Sequence, residues 1–208
     1  MLQFLRSYQS RISVLLLIAL LLLTAKYLMT LGQSLPLEHA RLYDLGYHYV
    51  PPLEQLLGKQ TSEWVWWFGS MSIELAFAAV ILSILFKGVG LRLGLSLSVI
   101  VLLHSLFWHI TILPVPVDNI WQFPFITGQI AKPDDFWFSG HVAYAFLLAL
   151  SSRQQARWLQ LLSWLYVLLI ILLVLSTRTH YSIDIIGAFF VAYTVREVIF
   201  YNGSGKRQ

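Results

Sequence analysis

Cysteine is absent from the chain. No disulfide framework, iron–sulfur cluster or thiol nucleophile is therefore available to it. Charge is scarce as well: Asp, Glu, Lys and Arg make up 12% of 208 residues, about half the share of an ordinary soluble domain. What replaces charge is apolar, with 58% hydrophobic residues and a mean hydropathy of +0.70. These proportions exclude a soluble fold and predict an all-α polytopic membrane protein, built as one domain over residues 1–208. The net charge of +4 does not argue for nucleic acid, because basic residues in a membrane chain serve topology first. No internal repeat or low-complexity tract is visible.

A bilayer core needs about 20 apolar residues per helix. Six stretches qualify, at 12–31, 66–87, 91–113, 137–152, 157–176 and 181–201, which predicts a bundle of six transmembrane helices. The fourth is short and polar at its start. The first follows Arg6 and Arg11 as a signal peptide would, but it is long and lacks a small-x-small cleavage site, so it reads as a retained helix. Between the first two spans, Leu35, Leu37, Leu42, Tyr43, Leu45, Tyr47, Leu53, Leu56 and Leu57 suggest a short amphipathic helix on the membrane surface. Pro114, Pro116, Pro124 and Pro133 make 114–135 a structured loop.

The sidedness follows from charge. One set of ends holds Arg6, Arg11, Lys87, Arg92, Arg153, Arg157, Arg196, Lys206 and Arg207. The other holds Arg41, Lys59, Lys132 and Arg178, together with Glu38, Asp44, Glu54, Glu63, Asp118, Asp134 and Asp135. The positive-inside rule then places both termini in the cytoplasm and the loops before the fourth and sixth helices outside, in periplasm, lumen or exterior. Trp64, Trp66 and Trp67 fit an interfacial aromatic belt.

Two histidines stand at helix starts on that outer side. Asp184 follows His180 by four residues, so a helix carries both on one face. The carboxylate accepts the proton of one ring nitrogen, fixes the tautomer and directs the other nitrogen as a nucleophile. At phosphorus such a histidine forms a phosphohistidine, and His141 suits the role of general acid on the leaving oxygen. Gly140 and His141 open a helix after Ser139, where backbone N–H groups and the dipole favour a phosphate. A lone histidine at a helix start is more often an inert interfacial residue. The i,i+4 pair together with Ser-Gly-His on the same side is what lifts the catalytic reading above that one.

The motifs carry a resemblance. Asp135-Phe-Trp-Phe-Ser-Gly-His141 resembles the Gly-Asp-x-x-x-Ser-Gly-His-Thr motif of sphingomyelin synthases, and His180-Tyr-Ser-Ile-Asp184 their His-Tyr-Thr-x-Asp motif. Thr111-Ile-Leu-Pro-Val-Pro116 is similar to their Thr-x-Leu-Pro-x-Pro segment, and Leu42 to Pro51 more weakly resembles their first motif. These synthases are a branch of the type-2 phosphatidic acid phosphatase superfamily. The resemblance implies six helices, an outward site, His180 as nucleophile, Asp184 as its orienting partner and His141 as acid. His104 stands where the family often has an arginine, Val174 where the superfamily has one six residues before the nucleophile, and Val142 where the threonine follows. The superfamily's Lys-x6-Arg-Pro motif is missing. Phosphate contacts are therefore assigned to Arg178, Lys132, Ser139 and Gly140.

Glu74, a carboxyl inside the second span, is costly in a bilayer and a candidate reader of a cationic headgroup. Its plainer role is pairing with a polar neighbour or remaining protonated. Asp135 with Asp134 either anchors such a headgroup or is solvated. Phe136, Trp137, Phe138 and Tyr144 offer a cation–π wall or serve as interfacial anchors. His104 and His109 read best as interhelical hydrogen-bonding residues, and His39 and His48 have no visible partner. No ligand set for a metal stands out, and no cofactor is expected.

The function expected is transfer of a phospho-headgroup, phosphocholine or phosphoethanolamine, from a phospholipid donor to a lipid alcohol such as ceramide or diacylglycerol. The alternative is a lipid phosphate phosphatase or phospholipase C-type hydrolase with water as acceptor. A third reading, an inactive lipid-binding scaffold, conflicts with the intact His-His-Asp set.

Overall fold

The computed structural model describes residues 2–31, 43–87, 90–109, 111, 113–116, 119–120, 123–124 and 137–201, with side chains from residue 11 onward and without those of residues 31 and 201. Regular structure among these residues is helical. In chain order the helices are α1 (Leu2–Leu31), α2 (Leu45–Tyr49), α3 (Leu53–Leu57), α4 (Lys59–Lys87), α5 (Leu91–Trp108), α6 (Gly140–Ser151), α7 (Arg157–Ser176) and α8 (Ser182–Tyr201). A 3-10 turn at Ser152–Gln154 follows α6.

The six expected spans correspond to α1, α4, α5, α6, α7 and α8, with shifted ends. Helix α4 begins at Lys59 rather than 66. Helix α5 stops at Trp108 rather than 113; Thr111 N–H still donates to Phe107 O at 3.0 Å, but Pro114 and Pro116 remove donors and push the preceding residues out of the helical region. Helix α6 starts at Gly140 because Ser139 caps it, its Oγ accepting from Val142 N–H at 3.3 Å. In place of one amphipathic surface helix, the segment before α4 holds the two short helices α2 and α3, broken by Pro51 and Pro52; residues 32–42 lie outside the described residues.

Among the described residues, four helices are long and apolar enough to cross a membrane: α1 over Arg11–Thr30, α4, α5 and α7. The other two depart for visible reasons. Helix α6 has 12 residues, about 18 Å, and α8 carries Asp184, Arg196 and Glu197 among its 20. Helix α6 is the hub, packed against α4, α5, α7 and α8. Its Val142, Ala143, Ala145, Leu147 and Ala149 are wholly enclosed, and its alanines let neighbouring backbones come close. Helix α1 lies against α5.

The outward faces are apolar. Leu16, Leu20 and Leu23 of α1, Leu75, Leu82 and Phe86 of α4, and Leu161, Leu165 and Leu168 of α7 are all exposed. In water such strips would form large apolar patches; against acyl chains they are solvated. Inward, small residues set the spacing. A Cβ at Gly94 would stand 2.7 Å from Ile84 Cδ1, and one at Gly187 would stand 3.2 Å from Phe138 Cβ.

Candidate active site

Five segments meet at one end of the bundle: the early turns of α4, the last turn of α5, the start of α6, the turn between α7 and α8, and residues 43–50. Their cross-links are explicit. Ser70 Oγ lies 2.9 Å from His141 Nε2. Ser139 N–H donates to Asp184 O at 3.1 Å, so the two histidine motifs share a backbone hydrogen bond. Ile120 N–H donates to Thr177 O at 3.0 Å, and Tyr181 Oη–H to Pro114 O at 2.7 Å, which seats the proline-rich segment on the same turn.

That turn, Thr177–Tyr181, follows the hydrogen-bond pattern of a Schellman helix end. Thr179 N–H donates to Val174 O at 3.1 Å and Arg178 N–H to Leu175 O at 3.3 Å. The left-handed position normally taken by glycine is occupied by Arg178, with φ +56°. The conformation costs an L-residue about 1–2 kcal/mol and persists where surrounding contacts over-determine it. Here the side chain supplies them: Nη1 donates to Leu175 O at 3.1 Å, Nη2 to Val50 O at 3.0 Å and to Tyr47 O at 3.3 Å. The guanidinium carbon also lies 4.1 Å from the centre of the Tyr47 ring.

Helix α8 then starts with Tyr181 as N-cap. Asp184 is in the third helical position, and its Oδ2 accepts from Tyr181 N–H at 2.9 Å, half of a capping box. The same oxygen lies 3.5 Å from His180 Nδ1, with Asp184 fully buried and His180 nearly so. At that distance the pair is an electrostatic contact rather than a short hydrogen bond, of the kind that tightens when the imidazole becomes charged. Nε2 is then the ring nitrogen suited to attack.

His141 sits in the first turn of α6. Its ring is tilted against Trp66 (centroids 4.9 Å apart) and Phe123 (6.0 Å). With Ser70 as donor to Nε2, the proton of the neutral ring is on Nδ1. His104 adds a third imidazole. It hydrogen-bonds to the backbone of Phe138, stands edge-on to the Phe138 ring at 5.2 Å, and its Nε2 would be 3.7 Å from a Cβ placed on Gly140. Among the described residues no three His, Asp or Glu side chains gather to hold a metal.

Other sequence expectations distribute as follows. Ser139 is spent as the α6 cap, and Gly140 opens that helix against His104. Arg178 turns its guanidinium toward residues 47–50 and α7. Glu74 is buried on the inward face of α4, one turn beyond Ser70. Lys132, Asp134, Asp135, Phe136 and His39 lie outside the described residues. His109 and His48 are exposed, each against its neighbouring ring, Trp108 and Tyr49. The expected tryptophan belt is split: Trp64 is exposed while Trp66 is fully buried, because helical spacing aligns Trp66 with Ser70 and Glu74. Sequence reasoning missed Ser70, Trp66 and Asp44. The first two show only as an i,i+4,i+8 row with Glu74.

An apolar groove of about 300 Å³ opens beside the turn, lined by Val50, Pro51, Leu53, Leu56, Leu169, Leu172, Leu173 and Ser176.

Residues 134–202 match a family model described as PAP2 superfamily C-terminal, in agreement with the resemblance drawn from the motifs. A stretch of 90 residues is 32% identical to the phosphatidylinositol:ceramide inositolphosphotransferase 3 of Arabidopsis thaliana. The match covers 42% of this chain and 30% of that relative, so the chain spans less than a third of the curated protein it matches.

Proposed function

We propose that this protein is an integral membrane lipid phosphotransferase, moving a phospho-headgroup from a phospholipid to a lipid alcohol such as ceramide or diacylglycerol through a phosphohistidine at His180. The observation that carries this reading is the buried His180–Asp184 pair at 3.5 Å, joined to the His141 helix by the Ser139–Asp184 backbone bond.

In the first half-reaction His180 Nε2 attacks the donor phosphorus. The bond from phosphorus to the diacylglycerol oxygen breaks, and His141, entering as the imidazolium, gives that oxygen a proton and becomes neutral. Asp184 stabilises the imidazolium character that develops on His180. In the second half-reaction the acceptor hydroxyl attacks the phosphohistidine, His141 takes its proton, and the P–N bond breaks to regenerate His180. The backbone N–H groups at the start of α6, with His104 beside Gly140, are the proposed phosphoryl contacts in place of the missing superfamily arginine and lysine. Arg178 acts through the turn it holds. Lys132, Asp135 and Glu74 are proposed headgroup contacts, and the groove at Val50 and Leu172 accommodates an acyl chain.

Helices α1, α4, α5, α6, α7 and α8 all cross the membrane in this reading, the short α6 inside the bundle, with both termini cytoplasmic and the histidines outside. The opposite end of the bundle carries Lys87, Arg92, Arg153, Arg157 and Arg196, which supports that orientation. Phosphocholine and phosphoethanolamine are the candidate headgroups from the motifs, and the name of the plant relative adds phosphoinositol.

The test supplies purified protein in liposomes, in EDTA, with headgroup-labelled phosphatidylcholine, phosphatidylethanolamine or phosphatidylinositol, with and without ceramide or diacylglycerol. Label passing to a new lipid, and lost in His180→Ala, supports transfer. Release of the label to water supports the second reading, a hydrolase. That reading draws on the same trio, since nothing in the three residues selects the acceptor. No movement from any donor, including phosphatidic acid, overturns both.

A further inference from the structure

Residues 43–50 form a strap over the nucleophile's turn, and its contacts are concentrated on a single carboxylate. Asp44 Oδ1 accepts from Tyr47 N–H at 3.0 Å and caps α2. Oδ2 accepts from Ser182 N–H at 2.7 Å, the first backbone donor of α8. Ser182 Oγ–H donates to Oδ1 at 2.8 Å and in turn accepts from Gly46 N–H at 3.0 Å. One side chain thus closes the starts of two helices, reaching across 138 residues of chain from Asp44 to Ser182. Tyr47 completes the hold from the other side, its Oη–H donating to His180 O at 2.9 Å. Burial pushes the Tyr47 phenol far above its ordinary range, so it remains a neutral donor.

We propose that Asp44 is a positioning residue that aims His180: it pins the first turn of α8, and with Tyr47 it fixes the backbone that leads from His180 into that helix. The physical basis is geometric. Asp184 orients His180 only while the α8 start holds Asp184 in register with the turn; the Tyr181–Asp184 cap holds that start from within the helix, the Ser139 and Pro114 bonds hold it from the α6 side, and Asp44 is the carboxylate that holds its first amide from the strap. Asp44 touches no reacting atom. Its loss leaves headgroup recognition intact and lowers the fraction of encounters in which His180 is in line with phosphorus. The inference rests on the transferase reading for its kinetic readout, and hydrogen exchange supplies one that does not.

The experiment compares wild type, Asp44→Ala, Asp44→Asn and Ser182→Ala in detergent and in liposomes. Expected for Asp44→Ala is a fall in kcat of about 10- to 100-fold with donor KM changed by less than about twofold, per folded molecule by size-exclusion and thermal melting. Asp44→Asn keeps one acceptor oxygen and recovers part of the rate. The Asp44→Ala/Ser182→Ala pair is no slower than Asp44→Ala alone. Amide exchange at Tyr181–Asp184 accelerates in Asp44→Ala whatever the substrate. Unchanged kcat per folded molecule with faster exchange overturns the kinetic role, and unchanged exchange overturns the latch itself. An inactive wild type whose exchange still responds to Asp44→Ala contradicts the transferase reading and leaves the latch standing.

Discussion

Asp184 Oδ2 serves two partners at once, the Tyr181 amide at 2.9 Å and the His180 imidazole at 3.5 Å. The carboxylate that starts helix α8 is therefore also the one beside the proposed nucleophile, and the helix cannot form with Asp184 elsewhere without losing its cap. Fold and chemistry are coupled at one oxygen atom.

Substituting Asp184 separates these duties. Asp184→Asn retains an acceptor for Tyr181 N–H but withdraws the charge opposite the imidazolium. We expect kcat to fall by roughly 10²- to 10⁴-fold with little change in melting temperature. Asp184→Ala should lose the same activity and also about 1 kcal/mol of stability from the missing cap. Steady-state transfer and thermal melting, measured on the same preparations, check the pair.

Ser70 tests the second histidine. Ser70→Ala removes the hydrogen bond to His141 Nε2 and with it the contact that sets the tautomer of that ring. The expected result is a kcat reduced by about 5- to 50-fold, with a displaced limb in the pH–rate profile and an unchanged donor KM. His141→Ala, by contrast, should leave no measurable turnover.

Arg178 distinguishes a phosphate ligand from a structural one. Its Nη donors are directed to the carbonyls of Leu175, Tyr47 and Val50. Arg178→Lys, which cannot reproduce the planar fork, should lower the melting temperature and kcat while leaving donor KM within about twofold, whereas loss of a direct phosphate contact would raise KM. A large rise in KM with unchanged stability would return Arg178 to the phosphate.

Gly46 reports how tightly the strap is seated. A Cβ there would collide with Ser182 Oγ and stand 2.9 Å from Leu175 Cδ2. Gly46→Ala should destabilise the protein by about 1–3 kcal/mol and slow turnover by lifting the strap. The same change at Gly58, where nothing lies within 4 Å but φ is +77°, should cost stability through backbone strain alone and leave kcat unaltered.

Much of this site was legible in the chain itself. The i,i+4 spacing of His180 and Asp184 and the Ser139-Gly140 helix start appear in the structure as the pattern requires, because both are local. Helix existence was legible for the same reason: apolar runs must be helical in a bilayer. What the chain concealed is non-local or disguised. The turn before His180 lacks the glycine that usually marks a Schellman end, since Arg178 takes that place and is held there by residues 47–50. Asp44 reads as one more outer-side acid until the strap is seen on α8. Trp66 looks like a membrane-interface anchor beside Trp64 and Trp67, and only the phase of α4, set by packing on α6, turns it inward to His141.

The most direct test of the account is whether the headgroup becomes bonded to His180. Protein incubated with phosphorus-labelled donor and no acceptor, then quenched in base and digested, should yield a peptide carrying an acid-labile phosphoramidate ester of the headgroup on His180. That adduct should vanish when lipid alcohol is added before the quench, and it should accumulate in His141 variants that retain slow attack. Transfer at full rate with no adduct on His180, or undiminished transfer by His180→Ala, would contradict the account.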